Sequence, residues 1–264
     1  MSFSFVRAIT MAKRNLLQFK RDPAKLTYVF YCSFLDIILW GYSGSWVQKD
    51  STNDIVGISL LMGVIFWQFV IRSNFDISLG VIEEVWSHNI TNLFATPLNV
   101  YEWLAGLLMV SAFMCSVLLM FCHLVTFYIY KISIFAIFGW TLPIFILLLY
   151  LTGTSFGLLA GTLILIGGAR FQYLVYMIGW GFAPLGGIFY PINVLPKWVQ
   201  FVASWFPLMY IFEAARKYIE TNQLDCLLIK KALALNIIYV VVSGIIFMTT
   251  FRYSRNRGLN RLIE

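Results

Sequence analysis

Of the 264 residues, 60% are hydrophobic and only 12% are charged, with a formal net charge of +7. Soluble domains carry about 25% charged residues, so this composition excludes a water-dissolved globule. It also argues against a nucleic-acid partner, because the positive charge gathers beside apolar runs. Arg7, Lys13, Arg14, Lys20, Arg21 and Lys25 precede the first run, and Arg252, Arg255, Arg257 and Arg261 follow the last. Basic residues so placed mark the cytoplasmic side and contact anionic lipid.

A hydrocarbon layer about 30 Å thick needs about 20 mostly apolar helical residues per crossing. A barrel would show short segments alternating apolar and polar residues, and this chain does not. The expected fold is an all-α integral membrane protein with six transmembrane helices and both termini in the cytoplasm.

Residues 1–22 lack the apolar core and cleavage site of a signal peptide and read as an amphipathic interfacial helix. Phe5, Ile9, Ala12, Leu16 and Phe19 share one face. Arg7, Lys13, Arg14, Lys20 and Arg21 take the flanks and the far side, toward anionic lipid or a protein partner. Asp22 suits a cap and Pro23 the first helical position of span one, 23–47. Asp36 alone sits deep in a span, where a carboxylate needs a partner on a neighbouring helix or marks function. Trp40 here, with Phe66, Trp67 and Phe69 on the next span, are candidates to line a path for an apolar or sugar-bearing substrate. Most other rings suit the interfacial belt.

Span two, 55–78, is expected to end near Arg72 and Asp76, a pair that neutralises itself at the interface. Residues 79–103 form the longest polar interval, with Glu83, Glu84, Trp86, His88, Asn92, Leu93, Thr96 and Pro97 as candidate contacts on the cytoplasmic side. Asn99 and Glu102 have capping-box spacing ahead of span three, 104–130. Span four, 134–168, turns through Gly167-Gly168-Ala169-Arg170 into span five, 171–190. The run from Trp198 to Ala215 would extend about 27 Å as a helix. Pro207 in its middle breaks it into two pieces too short to cross. Residues 191–219 are therefore expected to form an outer re-entrant hairpin, with Glu213 and Arg216 near the surface. Span six, 232–251, and a cytoplasmic tail, 252–264, complete the chain.

The chain has no Gly-x-x-x-x-Gly-Lys-Ser/Thr loop to cradle phosphates, so it is expected to bind no ATP itself. No cysteine pair has metal-ligand spacing, and Cys32, Cys115 and Cys122 read as apolar filler. Asn89-Ile90-Thr91 matches a glycosylation acceptor by chance, lying in a cytoplasmic interval. A membrane-embedded enzyme needs a base beside its partners, whereas His88 and His123 are isolated. A non-transporting scaffold is a third class that no residue excludes.

The order of these elements resembles the type 2 ABC exporter permeases. Leu93-Phe94-Ala95-Thr96-Pro97-Leu98 looks like their signature between spans two and three. Phe189-Tyr190-Pro191 through Leu195-Pro196 and Trp198, then Phe206-Pro207-Leu208 and Glu213-Ala214-Ala215-Arg216, looks like their second signature. Where relatives carry a basic residue and Gly-Thr, this chain has Trp86-Ser87-His88-Asn89-Ile90-Thr91. The resemblance implies export of a lipid-linked glycan or hydrophobic amphiphile by a homodimer, or by a dimer with a related permease. It implies two cytoplasmic ATP-binding subunits that hold ATP and Mg and dock on the interval after span two. Glu83 and Glu84 are candidates to pair with basic residues of that subunit.

Overall fold

The computed structural model describes residues 3–21, 23–50, 55–87 and 89–256, whose regular structure is entirely helical. In chain order the helices are α1 (Phe5–Arg21), α2 (Pro23–Asp50), α3 (Ile55–Trp86), α4 (Ile90–Ala95) and α5 (Val100–Tyr130). They continue with α6 (Ile134–Phe138), α7 (Leu142–Gly167), α8 (Gln172–Gly181), α9 (Lys197–Ala203), α10 (Pro207–Thr221) and α11 (Cys226–Asn256). Among the described residues, four segments are long and apolar enough to cross a membrane: α3, α5, α6 with α7, and α11.

The centre of the bundle is α3. In its most apolar stretch 72% of residues are buried, against 22% in α11, so α3 is the core helix and α11 an outer one. Small residues on α7 set how closely the two central helices approach. A Cβ at Gly153 would lie 2.4 Å from the Val70 carbonyl oxygen, and one at Gly157 would lie 2.9 Å from that of Asn74. Close backbone approach of this kind replaces the hydrophobic drive that lipid cannot supply. Polar ties add to it: Asn236 of α11 donates to the Leu148 carbonyl (3.1 Å) and accepts from the Thr152 hydroxyl (2.8 Å).

Two apolar clusters fill the ends of the bundle. One joins Phe66, Phe138, Phe145, Ile188, Phe212 and Tyr218. The other joins Met11, Ile82, Phe94, Trp103, Phe247 and Phe251 at the end where α1 lies.

Several expected boundaries shift. Helix α3 does not stop near Arg72 and Asp76 but runs on to Trp86, carrying that pair into the buried helix interior. Mutual neutralisation within one turn lets the helix continue. Span five is not one continuous helix over 171–190: α8 covers only Gln172–Gly181, and Pro184 and Gly187 (φ +66°) break the remainder. The run from Trp198 to Ala215 does break at Pro207 as expected, with Pro207 as the first residue of α10, a position that needs no N–H. The two pieces are a 7-residue α9 and a 15-residue α10. The Asn99/Glu102 capping box forms, and Lys131 (φ 59°) caps α5.

Candidate functional site

The residues expected to meet a partner lie around α4. This short helix is anchored by its inward side: Ile90 is fully buried, and the Phe94 ring packs 5.5 Å from Trp103 and 4.7 Å from Phe251. Its outward side presents Asn92, Ala95, Thr96 and Pro97, with Trp86 exposed at the end of α3 and Leu93 half-buried. His88 lies outside the described residues.

Helix α1 fixes this region from the side, and it does so through a face the periodicity does not suggest. Ala8, Met11 and Asn15 are buried, while Phe5, Ile9 and Leu16 of the apolar stripe remain exposed, as do Val6 and Leu17 beside it. Gly106 of α5 explains the choice, since a Cβ there would lie 2.8 Å from the Met11 Cβ. The basic residues divide accordingly. Arg7 and Arg14 turn their charges inward: Arg7 pairs with Glu102 (2.8 Å) and donates to the Pro97 carbonyl (2.6 Å), and Arg14 pairs with Glu84. Lys13 is exposed; the side chains of Lys20 and Arg21 lie outside those described.

Two buried carboxylates therefore act as rivets. Glu102 accepts from the backbone N–H of Ser4 (2.7 Å) and of Asn99 (2.9 Å) besides Arg7. Glu84 accepts from Asn89 Nδ2 (2.9 Å) besides Arg14 and is 3% exposed, so it is not the outward-facing charge expected of it. A carboxylate with several charged and neutral donors is stable where an unpartnered one would not be. The result is one plate made of α1, the end of α3, α4 and the start of α5.

Beside the plate a cavity of about 370 Å³ opens between α1, α2, α3, α5 and α8. One stripe of α3 lines it at helical spacing: Gln68, Arg72, Phe75, Asp76, Leu79 and Glu83. Asp36 of α2 faces it and accepts from Gln68 Nε2 (2.6 Å), while Ser33 Oγ donates to Gln68 Oε1 (3.3 Å). Arg72 Nε donates to Asp76 at 3.0 Å. Asn15, Tyr176 and Trp180 complete its polar and aromatic wall.

A family model described as ABC-2 type transporter matches residues 7–219, most of the chain, including the Arg7, Arg14, Glu84 and Glu102 contacts and the cavity. The chain belongs to the ABC-2 type transporter family. It is thus a multi-pass membrane component of an ABC transporter, a type 2 permease. No curated protein matches it.

The remaining expected residues of this ABC-2 transporter subunit separate into two groups. Phe66, Trp67 and Phe69 are buried in the core of one chain, with Phe66 packed 4.8 Å from Phe138, so their rings offer no surface to a substrate in this arrangement. They are apolar and central, and packing claims them first. Trp40 stacks on Phe189 at 4.5 Å. At the far end Arg216 Nη2 donates to the Gly187 carbonyl (2.8 Å) and contacts Glu213 (3.5 Å), and Tyr190 donates to the Pro184 carbonyl (3.2 Å). Pro191, Leu195 and Pro196 shape the turn, where Gln200 Nε2 donates to the Leu195 carbonyl (2.7 Å). Sequence reasoning missed Asn15, Gln68 and Glu102 as tertiary contacts. The α3 stripe was detectable, because polar residues recur on one face of an otherwise apolar helix.

Proposed function

We propose that this chain is the membrane half of an exporter in a bacterial cytoplasmic membrane, two copies of which enclose the route of a lipid-linked glycan or hydrophobic amphiphile. Both termini and the plate lie on the cytoplasmic side. Helix α2 and the interrupted α8 segment supply two further crossings, and α9 with α10 forms a hairpin dipping into the outer leaflet. Two separate ATP-binding subunits dock on the exposed side of α4 and hold ATP and Mg; this chain does no chemistry of its own.

The observation that carries the reading is the plate. A short helix clamped by Arg7, Arg14, Glu84 and Glu102, with Asn92, Thr96 and Pro97 left outward, has the form of a transmission part. A push on α4 reaches α1, α3 and α5 together, because ion pairs to buried carboxylates and packed apolar side chains join the four. Rigid bodies so joined move as units against a second copy. Helix α3, continuous from the plate past the cavity to the other apolar cluster, carries the displacement through the membrane.

Affinity purification from mild detergent, with identification of the co-purifying chains, tests this. The expected result is an ATP-binding subunit in about equal amount, with the purified chain alone binding no nucleotide. Recovery of the chain alone, or nucleotide bound to it, would return the membrane-enzyme and scaffold readings.

A further inference from the structure

The cavity has a chemistry that a purely mechanical part does not require. It holds a carboxylate, Asp36, whose partner among the described residues is the amide of Gln68, which stabilises the charge without cancelling it. The guanidinium on the same wall is already engaged, since Arg72 is held by Asp76. Aromatic faces stand nearby: Phe75 and Tyr176 meet edge to face at 5.3 Å between ring centres, and Trp180 lines the same space. Carboxylate plus aromatic wall is the combination that attracts an ammonium group, through charge and through the ring quadrupole.

A second observation points to a ligand independently. Asn15 is 6% exposed and lines the cavity, and among the described residues its Nδ2 has no hydrogen-bond acceptor. A buried amide donor without an acceptor is unfavourable unless something supplies one. The rest of the lining, Val29, Ile71, Leu79 and Leu107 among it, suits an alkyl chain.

We infer that this cavity binds the head of an amphiphile carrying an ammonium group next to an oxygen acceptor, with Asp36 as counter-ion and Asn15 donating to the oxygen. This narrows the substrate class of the transporter proposed above and rests on that reading only for the step after binding. Two sources share the chemistry: a bilayer lipid with an aminoalcohol head, and a free cationic amphiphile.

The test uses the full chain in nanodiscs of phosphatidylglycerol, which has no amine, and two fluorescent dodecyl probes, an amino alcohol and the matching diol. The amino alcohol is expected to bind saturably and about tenfold more tightly than the diol. Asp36→Asn is expected to remove that preference, Asp36→Glu to retain it, and Asn15→Ala to weaken both probes alike. Trp180→Leu, whose side chain is half exposed, reads the aromatic wall if Asp36→Asn proves unstable. Equal binding of the two probes to the unaltered chain, or an undiminished preference in Asp36→Asn, would overturn the assignment. Discs containing phosphatidylethanolamine then name the source: competition identifies a bilayer lipid, and unchanged probe binding identifies a free amphiphile. No ATP-binding subunit takes part, so failure here leaves the exporter reading standing, and the converse holds as well.

Discussion

Arg7 of α1 and Glu102 of α5 face each other at 2.8 Å, and the same guanidinium reaches the Pro97 carbonyl at 2.6 Å. One side chain thereby ties the first helix to both the turn after α4 and the helix that follows it. The Glu102 side chain is fully buried and also closes the capping box of α5, so the pair is part of the helix start and not an ornament on it.

Glu102→Gln is expected to lower the unfolding temperature and to abolish stimulation of the ATP-binding subunit. Charge reversal at either position alone should do the same. Thermal unfolding and ATP hydrolysis in reconstituted vesicles read the two effects separately. Full activity in the single reversals would remove the plate from the mechanism.

Helix α4 has an inward and an outward side with opposite expectations. Phe94→Ala deletes a buried ring between Trp103 and Phe251 and should destabilise the chain by about 3 kcal/mol. Asn92→Arg changes an exposed residue and should leave stability within about 0.5 kcal/mol while reducing ATPase stimulation. Denaturation in mild detergent distinguishes them, and equal destabilisation would contradict the described orientation of α4.

Gly153 and Gly157 set the spacing of α3 and α7. Gly153→Val would drive its side chain into the Val70 carbonyl and Ser73, for a loss of about 2 kcal/mol or more. Gly244→Ala on α11, where a Cβ meets nothing within 4 Å among the described residues, should be neutral in the same unfolding assay. No loss in Gly153→Val would mean that α7 does not pack on α3 this closely.

Spin labels on α1 test which face meets lipid. Labels at Ile9 and Leu16, on the exposed stripe, are expected to be accessible to oxygen, which dissolves in the bilayer. A label at Met11, packed on Gly106, should be inaccessible. The reverse pattern would restore the orientation in which the arginines face outward.

At the opposite end, Lys217 Nζ lies 2.6 Å from Asp225, and that ammonium together with the Leu228 N–H holds the Asp225 carboxyl below its usual value. Lys217 is raised by the same contact. Such a carboxylate contributes stability above its unfolded pKa of about 3.9, and loses it as pH falls through the lower folded value. The lysine's share is present below about 10.4 and is lost as pH rises through its raised folded value. The tie should therefore be constant across neutral pH, and Asp225→Asn should remove it there and flatten the acid limb of a stability-pH curve. An unaltered curve would show that the contact contributes nothing.

How far the sequence discloses this molecule depends on the kind of interaction. Helix existence was legible, because runs such as Leu104–Tyr130 are apolar throughout, and local devices such as Asn99 with Glu102 are set by spacing alone. The end of α3 was not: Arg72 and Asp76 read as a border by their charge, yet an internal pair lets the helix pass them. Nor was the buried face of α1, which is decided by Gly106 and two distant carboxylates, whereas periodicity reports only where apolar residues lie. Phe66, Trp67 and Phe69 show the same limit, since an aromatic ring on a spanning helix reads alike whether it lines a path or fills a core.

The central claim, that an ATP-binding subunit drives this permease through α4, is tested most directly by photo-crosslinking. A photoreactive residue replacing Asn92 or Thr96 is expected to capture the ATP-binding subunit, while one replacing Trp198 at the opposite end should not. Capture at Trp198, or none at Asn92 and Thr96 in complexes that still hydrolyse ATP, would contradict the account.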